Sequence, residues 1–233
     1  MGLVDGPGIR TVVFLQGCRL RCRYCHNPDT WALTGGESIS PEALVRRLVR
    51  FKPYYGSEGG VTFSGGEPLL QPEFLLQTLR LCKEAGIGTC LDTAGCGAGD
   101  YDAILRLTDL VLLDVKHEDA AGYRAVTGAA PDGYERFLAA ARRAGTPLWL
   151  RHVVVPGLTD GEEHLQALRA YVRGIPNVRR VQLLCYHTLG VHKYAALGIP
   201  YTLADTPPLA PGALDAWQRL FDADTAARGA AAS

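Results

Sequence analysis

The sequence has no net charge. Its 24 Lys and Arg residues match 24 Asp and Glu, and its isoelectric point is about 7.0. That removes any global electrostatic case for a nucleic-acid partner or an anionic membrane surface. Nor does it hold a long hydrophobic run: nothing approaches the ~18 consecutive apolar residues that a bilayer span requires. The opening stretch, MGLVDGPGIR, has no apolar core of the kind a secretory signal needs. A cytoplasmic protein is expected. In that reducing compartment, seven cysteines read as metal ligands or buried thiols rather than disulfides. No internal repeat is evident.

What the chain does have is enough apolar material for a sizeable core. Of its 233 residues, 47% are hydrophobic, which suits one large domain. Short runs rich in Val, Ile and Leu, with weak alternation, read as parallel strands covered on both faces. They fall at Arg10–Gln16, Gly60–Phe63, Gly88–Leu91, Leu110–Val115, Leu148–Val155 and Arg180–Leu184. Helical patterns lie between them. SPEALVRRLVRF opens with Ser40 as N-cap and Pro41 at the first helical position. PEFLLQTLRLCKEAG stops at Gly86. TDGEEHLQALRAYVRG opens on a capping box of Thr159 and Glu162 and ends at Gly174. Weaker helices fit Tyr101–Leu107, Tyr134–Ala144 and Leu214–Thr225. Six strand–helix repeats argue for an α/β fold of parallel strands. A single-domain partial barrel of six β/α units over residues 1–225 is preferred to a doubly wound sheet, which the pattern leaves open. Residues 226–233, low in complexity, are expected to form a flexible tail.

In parallel α/β folds the chemistry sits at the carboxyl ends of the strands. Polar and glycine residues gather at just those points. Cys18 follows the first strand, SGGE (Ser64–Glu67) the second and DTAG (Asp92–Gly95) the third. DVK (Asp114–Lys116) ends the fourth, Arg151 lies in the fifth, and Tyr186-His187 follows the sixth.

Cys18, Cys22 and Cys25 have the spacing C-x3-C-x2-C within GCRLRCRYCHN. A structural zinc site wants four protein ligands. Here the fourth would have to be His26, Cys82, Cys90, Cys96 or Cys185. His26 is a poor candidate, because adjacent side chains diverge. A [4Fe–4S] cluster prefers thiolates, and three of them leave one iron open for another molecule. Chemistry alone favours the cluster and leaves zinc, or unligated thiols, as alternatives.

CRLRCRYC also resembles the cysteine signature of the radical S-adenosylmethionine (SAM) superfamily, with Tyr24 as the aromatic residue before the last cysteine. The neighbouring segments narrow the resemblance. VDGPGIRTVVFLQGC, YCHNPDTW, GGVTFSGGEPLLQ, CLDTAG, DLVLLDVK, LRHVVVPG and LLCYHTLGVHKY, in that order, are similar to the pyruvate formate-lyase activating enzyme family. These are activases of glycyl radical enzymes.

The resemblance implies one [4Fe–4S] cluster on Cys18, Cys22 and Cys25, with SAM on the open iron. One electron then cleaves SAM, and the 5′-deoxyadenosyl radical takes a hydrogen from a glycine α-carbon of the partner enzyme. The cofactor carries that chemistry, so no catalytic side chain is expected. The resemblance also implies SAM contacts. Gly65, Gly66 and Glu67 would hold the amino group. Asp92 and Asp114 would lie beside the carboxylate and help bind a monovalent cation, with Thr93 and the Leu112 carbonyl nearby. Lys116, His117, Arg151 and His187 would line the pocket, Arg151 pairing with SAM or with Asp114. Tyr24 and His26, flanking the ligand Cys25, would face the adenine through their backbone, all three counting as cofactor-binding, and Asp5 would meet the substrate peptide. Taken alone, Lys116 would read as a solvent-facing lysine and Asp5 as part of an Asp-Gly-Pro-Gly turn.

Three departures stand out. The pattern starts at Val4–Asp5, where family members usually have about a dozen further residues, so the true start is upstream or an N-terminal hairpin is missing. Cys185 replaces a proline common in the family and is expected as a buried thiol, as are Cys82 and Cys90. No second cysteine cluster separates Cys25 from Ser64, which points to the short, pyruvate formate-lyase type. Formate acetyltransferase is then the default partner, flavodoxin or ferredoxin the electron donor, and the activase a monomer. The competing readings are a radical SAM enzyme with a small-molecule substrate and a non-catalytic zinc scaffold.

Overall fold

A computed structural model describes residues 5–231. In chain order the main elements are β1 (Arg10–Leu15), α1 (Pro41–Val49), α2 (Lys52–Tyr55), β2 (Gly60–Gly65), α3 (Pro72–Glu84), β3 (Gly88–Thr93), α4 (Tyr101–Arg106) and β4 (Leu110–Asp114). There follow α5 (Ala120–Thr127), α6 (Asp132–Ala144), β5 (Leu148–Val154), α7 (Glu162–Arg173), β6 (Val178–Cys185), α8 (Val191–Ala196) and α9 (Asp215–Ala231). All six expected strands form, within two residues of the expected ends. The expected tail is helical from 226 to 231, as the end of α9, and its last two residues lie outside the described ones, as does Val4. The chain folds as two compact units. One holds the chain up to Arg19, Thr30–Leu113 and Asp132–Pro147; the other holds Leu20–Asp29, Asp114–Pro131 and the chain from Leu148 onward.

In the first unit β1 pairs in parallel with β2, β2 with β3 and β3 with β4, in registers Val12↔Thr62, Val61↔Thr89 and Leu91↔Val111. Strand order follows chain order without a reversal, so this unit has none of the switch points that mark a doubly wound sheet. Val61, Thr62 and Phe63 in β2 are all fully buried, as the continuous apolar run required. Arg10 is buried as well and ties the amino ends of the strands together. Its guanidinium donates to Thr62 Oγ1 at 2.8 Å and to the carbonyls of Val61 at 2.9 Å and Glu58 at 3.1 Å. α1 starts as expected, with Ser40 Oγ accepting from Ala43 N. α3 ends in a left-handed Gly86 (φ 63°), whose N–H reaches Lys83 O while that of Ile87 reaches Cys82 O. This is the Schellman pattern, open to glycine at no steric cost.

In the second unit β5 pairs in parallel with β6, Arg151 opposite Gln182. Leu148, Leu150, His152 and Val154 of β5 are buried, and the residues between them are half-buried. His152 Nδ1 lies 2.7 Å from Val115 O, and burial pushes this imidazole down to about 3, so it is neutral. The free edge of β6 is closed by Gln218 of α9, which accepts from Leu183 N and donates to Val181 O. A side-chain amide thus stands in for a neighbouring strand.

One expectation is corrected. Thr159 does not cap α7, whose N-cap is Gly161. The Thr159 hydroxyl instead donates to Val153 O at 2.9 Å and accepts from Val155 N at 2.8 Å. It serves the turn after β5, whose backbone groups have left the strand ladder. Among the described residues, the α-helices not expected from the sequence are α2, α5 and α8.

Candidate functional site

In the first unit the strand ends β1 and β2 interlock. Gly66 N donates to Leu15 O, Glu67 N to Gly17 O and Gly17 N to Thr30 O, at 2.8–2.9 Å. A Cβ on Gly66 would lie 2.2 Å from Gly17 O, so only glycine lets these segments approach. Cys18 follows, half-exposed, its N–H on Trp31 O.

The Glu67 side chain turns inward. It is fully buried, with Oε1 accepting from Thr93 Oγ1 at 2.6 Å and Leu69 N at 3.1 Å, and Oε2 from Ala94 N at 2.9 Å. Burial pushes this carboxyl up, and the hydrogen bonds partly offset that. Glu67 therefore joins SGGE to DTAG, and its carboxylate is committed to that link. Asp92 accepts from Ser64 Oγ at 2.7 Å. Cys96 lies in the same loop, its N–H 3.5 Å from Glu67 Oε2. Asp5 holds its place through its carbonyl, which accepts from Thr62 Oγ1 at 2.7 Å. Cys82 and Cys90 are fully buried, as expected.

In the second unit the cysteine loop hangs on the end of α5. Arg21 N donates to Thr127 O and Arg23 N to Val126 O, using carbonyls that a helix end leaves unpaired. Cys22 is buried, and Cys25 N closes a turn on Cys22 O at 3.0 Å. Asn27 N points at Cys25 Sγ from 3.4 Å. α8 holds the loop from outside. Tyr194 Oη donates to Cys25 O at 2.9 Å, and Lys193 Nζ reaches Asn27 Oδ1 and Asp29. Sequence reasoning missed these two residues. Their signal was present in VHKY, where a lysine and an aromatic residue follow the expected histidine.

His26 stacks on His187, ring centres 4.0 Å apart, with Nε2 3.2 Å from the His187 carbonyl. The Nδ1 atom of His187 and the hydroxyl of Tyr24 are buried without a hydrogen-bond partner. Orphaned buried polar atoms are rare, and here they flank the cysteine loop. Asp114 is held by two cations, Lys116 Nζ at 2.8 Å and Arg151 Nε at 3.3 Å. Burial alone would push the Asp114 carboxyl up, but these charges outweigh it and hold it below the usual range. Lys116 is buried, not solvent-facing as it would read alone, and burial of its ammonium is outweighed by Asp114. Its Nζ also stands 5.5 Å over the Tyr24 ring. His117 is turned toward Glu118 and His164, its Nδ1 3.1 Å from Glu118 Oε2. Cys185, expected as a buried thiol, is only half-buried, because it ends β6, its sulfur 3.9 Å from Ala210 O.

Three thiols within eight residues of sequence, with orphaned polar atoms beside Cys22 and Cys25, in a fold of parallel strands and helices, define a class. The Radical SAM superfamily pattern matches residues 12–168. Among curated proteins, the pyruvate formate-lyase-activating enzyme of Clostridium pasteurianum is 58% identical over 206 residues, 88% of this chain and 87% of that protein. The enzyme of the same name from Streptococcus mutans is 43% identical over 96% of this chain and 89% of its own length. The chain belongs to the radical SAM superfamily and, within it, to the pyruvate formate-lyase-activating enzymes.

Solved structures share the fold. Streptococcus suis SuiB bound to its precursor peptide SuiA matches 95% of this chain with a TM-score of 0.69 at 17% identity, and this chain spans 47% of SuiB. A domain of the pyruvate-formate lyase-activating enzyme from Bacteroides vulgatus matches 73% of this chain and 95% of its own, TM-score 0.53 at 24% identity. The α/β class with six parallel strands expected from the sequence is the one observed. Among the described residues, no helix is long and apolar enough to cross a membrane.

Proposed function

We propose that this protein activates a glycyl radical enzyme, with formate acetyltransferase as the default partner. The observation that carries the reading is the cysteine loop: three thiols in eight residues, one approached by a backbone N–H, the loop fastened at both ends. The residues fit the group that the family implies. Three thiolates suit a [4Fe–4S] cluster with one iron left open, and the unpartnered Tyr24 hydroxyl and His187 nitrogen suit a polar ligand beside it. Identity of 58% with a relative named for this activity supports it further.

In this reading Cys18, Cys22 and Cys25 hold the cluster. When bound, the cluster and SAM together supply a 5′-deoxyadenosyl radical that takes one hydrogen from a glycine α-carbon. The chain's own part is to bind and orient. Gly65 and Gly66 bring backbone close to the SAM amino group, while Glu67 fixes that segment from behind. The Lys116 and Arg151 cations favour the SAM carboxylate and keep Asp114 ionised. Tyr24, His26 and His187 shape the adenine end. Asp92 and Thr93 belong to a monovalent-cation site, and Asp5 to the peptide contact. The electron comes from flavodoxin or ferredoxin, and the enzyme works as a cytoplasmic monomer.

The test is anaerobic. The protein is reconstituted with iron and sulfide and reduced with SAM present. 5′-Deoxyadenosine is then measured with and without a short peptide copying a glycyl-radical loop. Peptide-stimulated cleavage is expected. Cleavage that the peptide leaves unchanged would move the substrate to a small molecule. An intact cluster with no cleavage would refute the reading, and a colourless protein with one zinc held by cysteine sulfur would replace it with the scaffold.

A further inference from the structure

We propose that His117, Glu118 and His164 form a second metal site, separate from the cysteine loop, that takes a divalent ion of the zinc class. The three offer ligand atoms within 4.8 Å of one another. His117 Nδ1 lies 3.1 Å and His164 Nδ1 3.0 Å from Glu118 Oε2. A tetrahedral ion with bonds of ~2.0–2.1 Å sets its ligand atoms about 3.3 Å apart, so these edges are already close to metal dimensions. The side chains are only 11–13% exposed.

The protons point the same way. The Val115 carbonyl can only accept, so His152 carries its proton on Nδ1, 2.7 Å away. His152 Nε2 is therefore a lone pair, and His164 Nε2, 3.0 Å from it, must donate. That leaves the Nδ1 of a neutral His164 as a second lone pair, facing the Glu118 carboxylate. His117 Nδ1 is likewise an acceptor, since Asp119 N donates to it across a long 3.3 Å. Three electron-rich atoms thus converge, and Glu118 Oε2 is buried with no hydrogen bond. A cation resolves that conflict.

The surroundings are those of a metal ligand set. His164 is oriented by a neighbouring imidazole that is itself fixed to backbone, the arrangement that sets the tautomer of metal-bound histidines. The His117 ring lies flat against Gly122, where a Cβ would come within 2.2 Å of ring atoms. Asp119 Oδ2, 3.2 Å from His117 Nδ1 and more exposed, or a water can complete the shell. Two imidazoles and a carboxylate suit zinc better than calcium or magnesium. The ion would tie the loop after β4 to the first turn of α7.

The experiment uses cluster-loaded protein, so that Cys18, Cys22 and Cys25 are occupied, and zinc alone as the probe. Expected is one zinc per chain beyond the iron, with a zinc-edge X-ray absorption first shell of nitrogen and oxygen and no sulfur. Glu118→Gln and His164→Asn should each weaken zinc binding at least tenfold, with iron content and circular dichroism unchanged. No stoichiometric zinc, a sulfur-ligated zinc, or undiminished binding in both variants would overturn the proposal. Should a variant fail to fold, the wild-type first shell decides alone.

Discussion

Glu67 Oε1 accepts a 2.6 Å hydrogen bond from Thr93 Oγ1, so the loop after β2 and the loop after β3 are joined through one buried carboxylate. The same carboxylate takes the Leu69 and Ala94 amides. Glu67→Ala leaves three buried donors without an acceptor, each costing about 1–3 kcal/mol. A loss of roughly 3–5 kcal/mol is expected in anaerobic urea unfolding. Thr93→Val removes one donor to Glu67 and the acceptor for Gly95 N, and should cost about 1–3 kcal/mol. Equal effects of the two would mean that Glu67 is not the anchor.

Asp114, Lys116 and Arg151 form a unit whose members cannot be removed singly without leaving a charge behind. Asp114→Asn removes the carboxylate that these two cations share, each only 10–13% exposed at the side chain. About 3–5 kcal/mol should be lost, the usual effect of breaking a buried pair. Adding Lys116→Met should recover part of it, with a coupling energy of about 1–3 kcal/mol in the double-mutant cycle. Strict additivity would show that the pair is not energetically linked.

The strands were readable because parallel strands covered on both faces are continuous apolar runs, and Val61 to Phe63 is one. The site's positions were readable too, since chemistry at strand ends is a rule of such folds. What could not be read was partnership. Lys116 looked solvent-facing alone, because nothing in the local sequence shows that Asp114, two residues back on the same strand face, would take it inward. Thr159 looked like a helix cap, because its hydroxyl competes for backbone groups of β5 that lie elsewhere in the sequence. α8 is a six-residue helix without a side-chain cap, too short for periodicity to show. α5 did carry signals, Asp119 capping Gly122 N and a left-handed Gly128, which the reading passed over.

Tyr194→Phe tests whether α8 supports the cysteine loop. It removes the hydrogen bond to Cys25 O while keeping the ring in its packing. A bond of that kind is worth about 1 kcal/mol, or about fivefold in an equilibrium. The variant should bind iron and sulfide but lose iron to a chelator several-fold faster than wild type. Lys193→Met, which removes the ammonium contacts to Asn27 and Asp29, should act in the same direction. Unchanged iron release in both would assign the loop's geometry to the α5 contacts alone.

Asp224 gives stability a defined pH dependence. It is bound by Arg169 and Arg173, each through two hydrogen bonds of 2.6–3.0 Å. Hydrogen bonds from Arg169 and then Arg173 hold its carboxyl well below the usual range. A carboxyl depressed in the folded state adds stability that is fully present above its unfolded value, about 3.9, and lost as the pH falls through the folded one. Asp224→Asn should therefore be less stable than wild type at pH 7. The two stability curves should converge only below about pH 4, as wild type gives up the contribution that the variant never had. Chemical unfolding of the metal-free protein from pH 7 to pH 3 measures this. A gap that stayed constant across that range would show that the arginines bind the carboxylate without stabilising its charge.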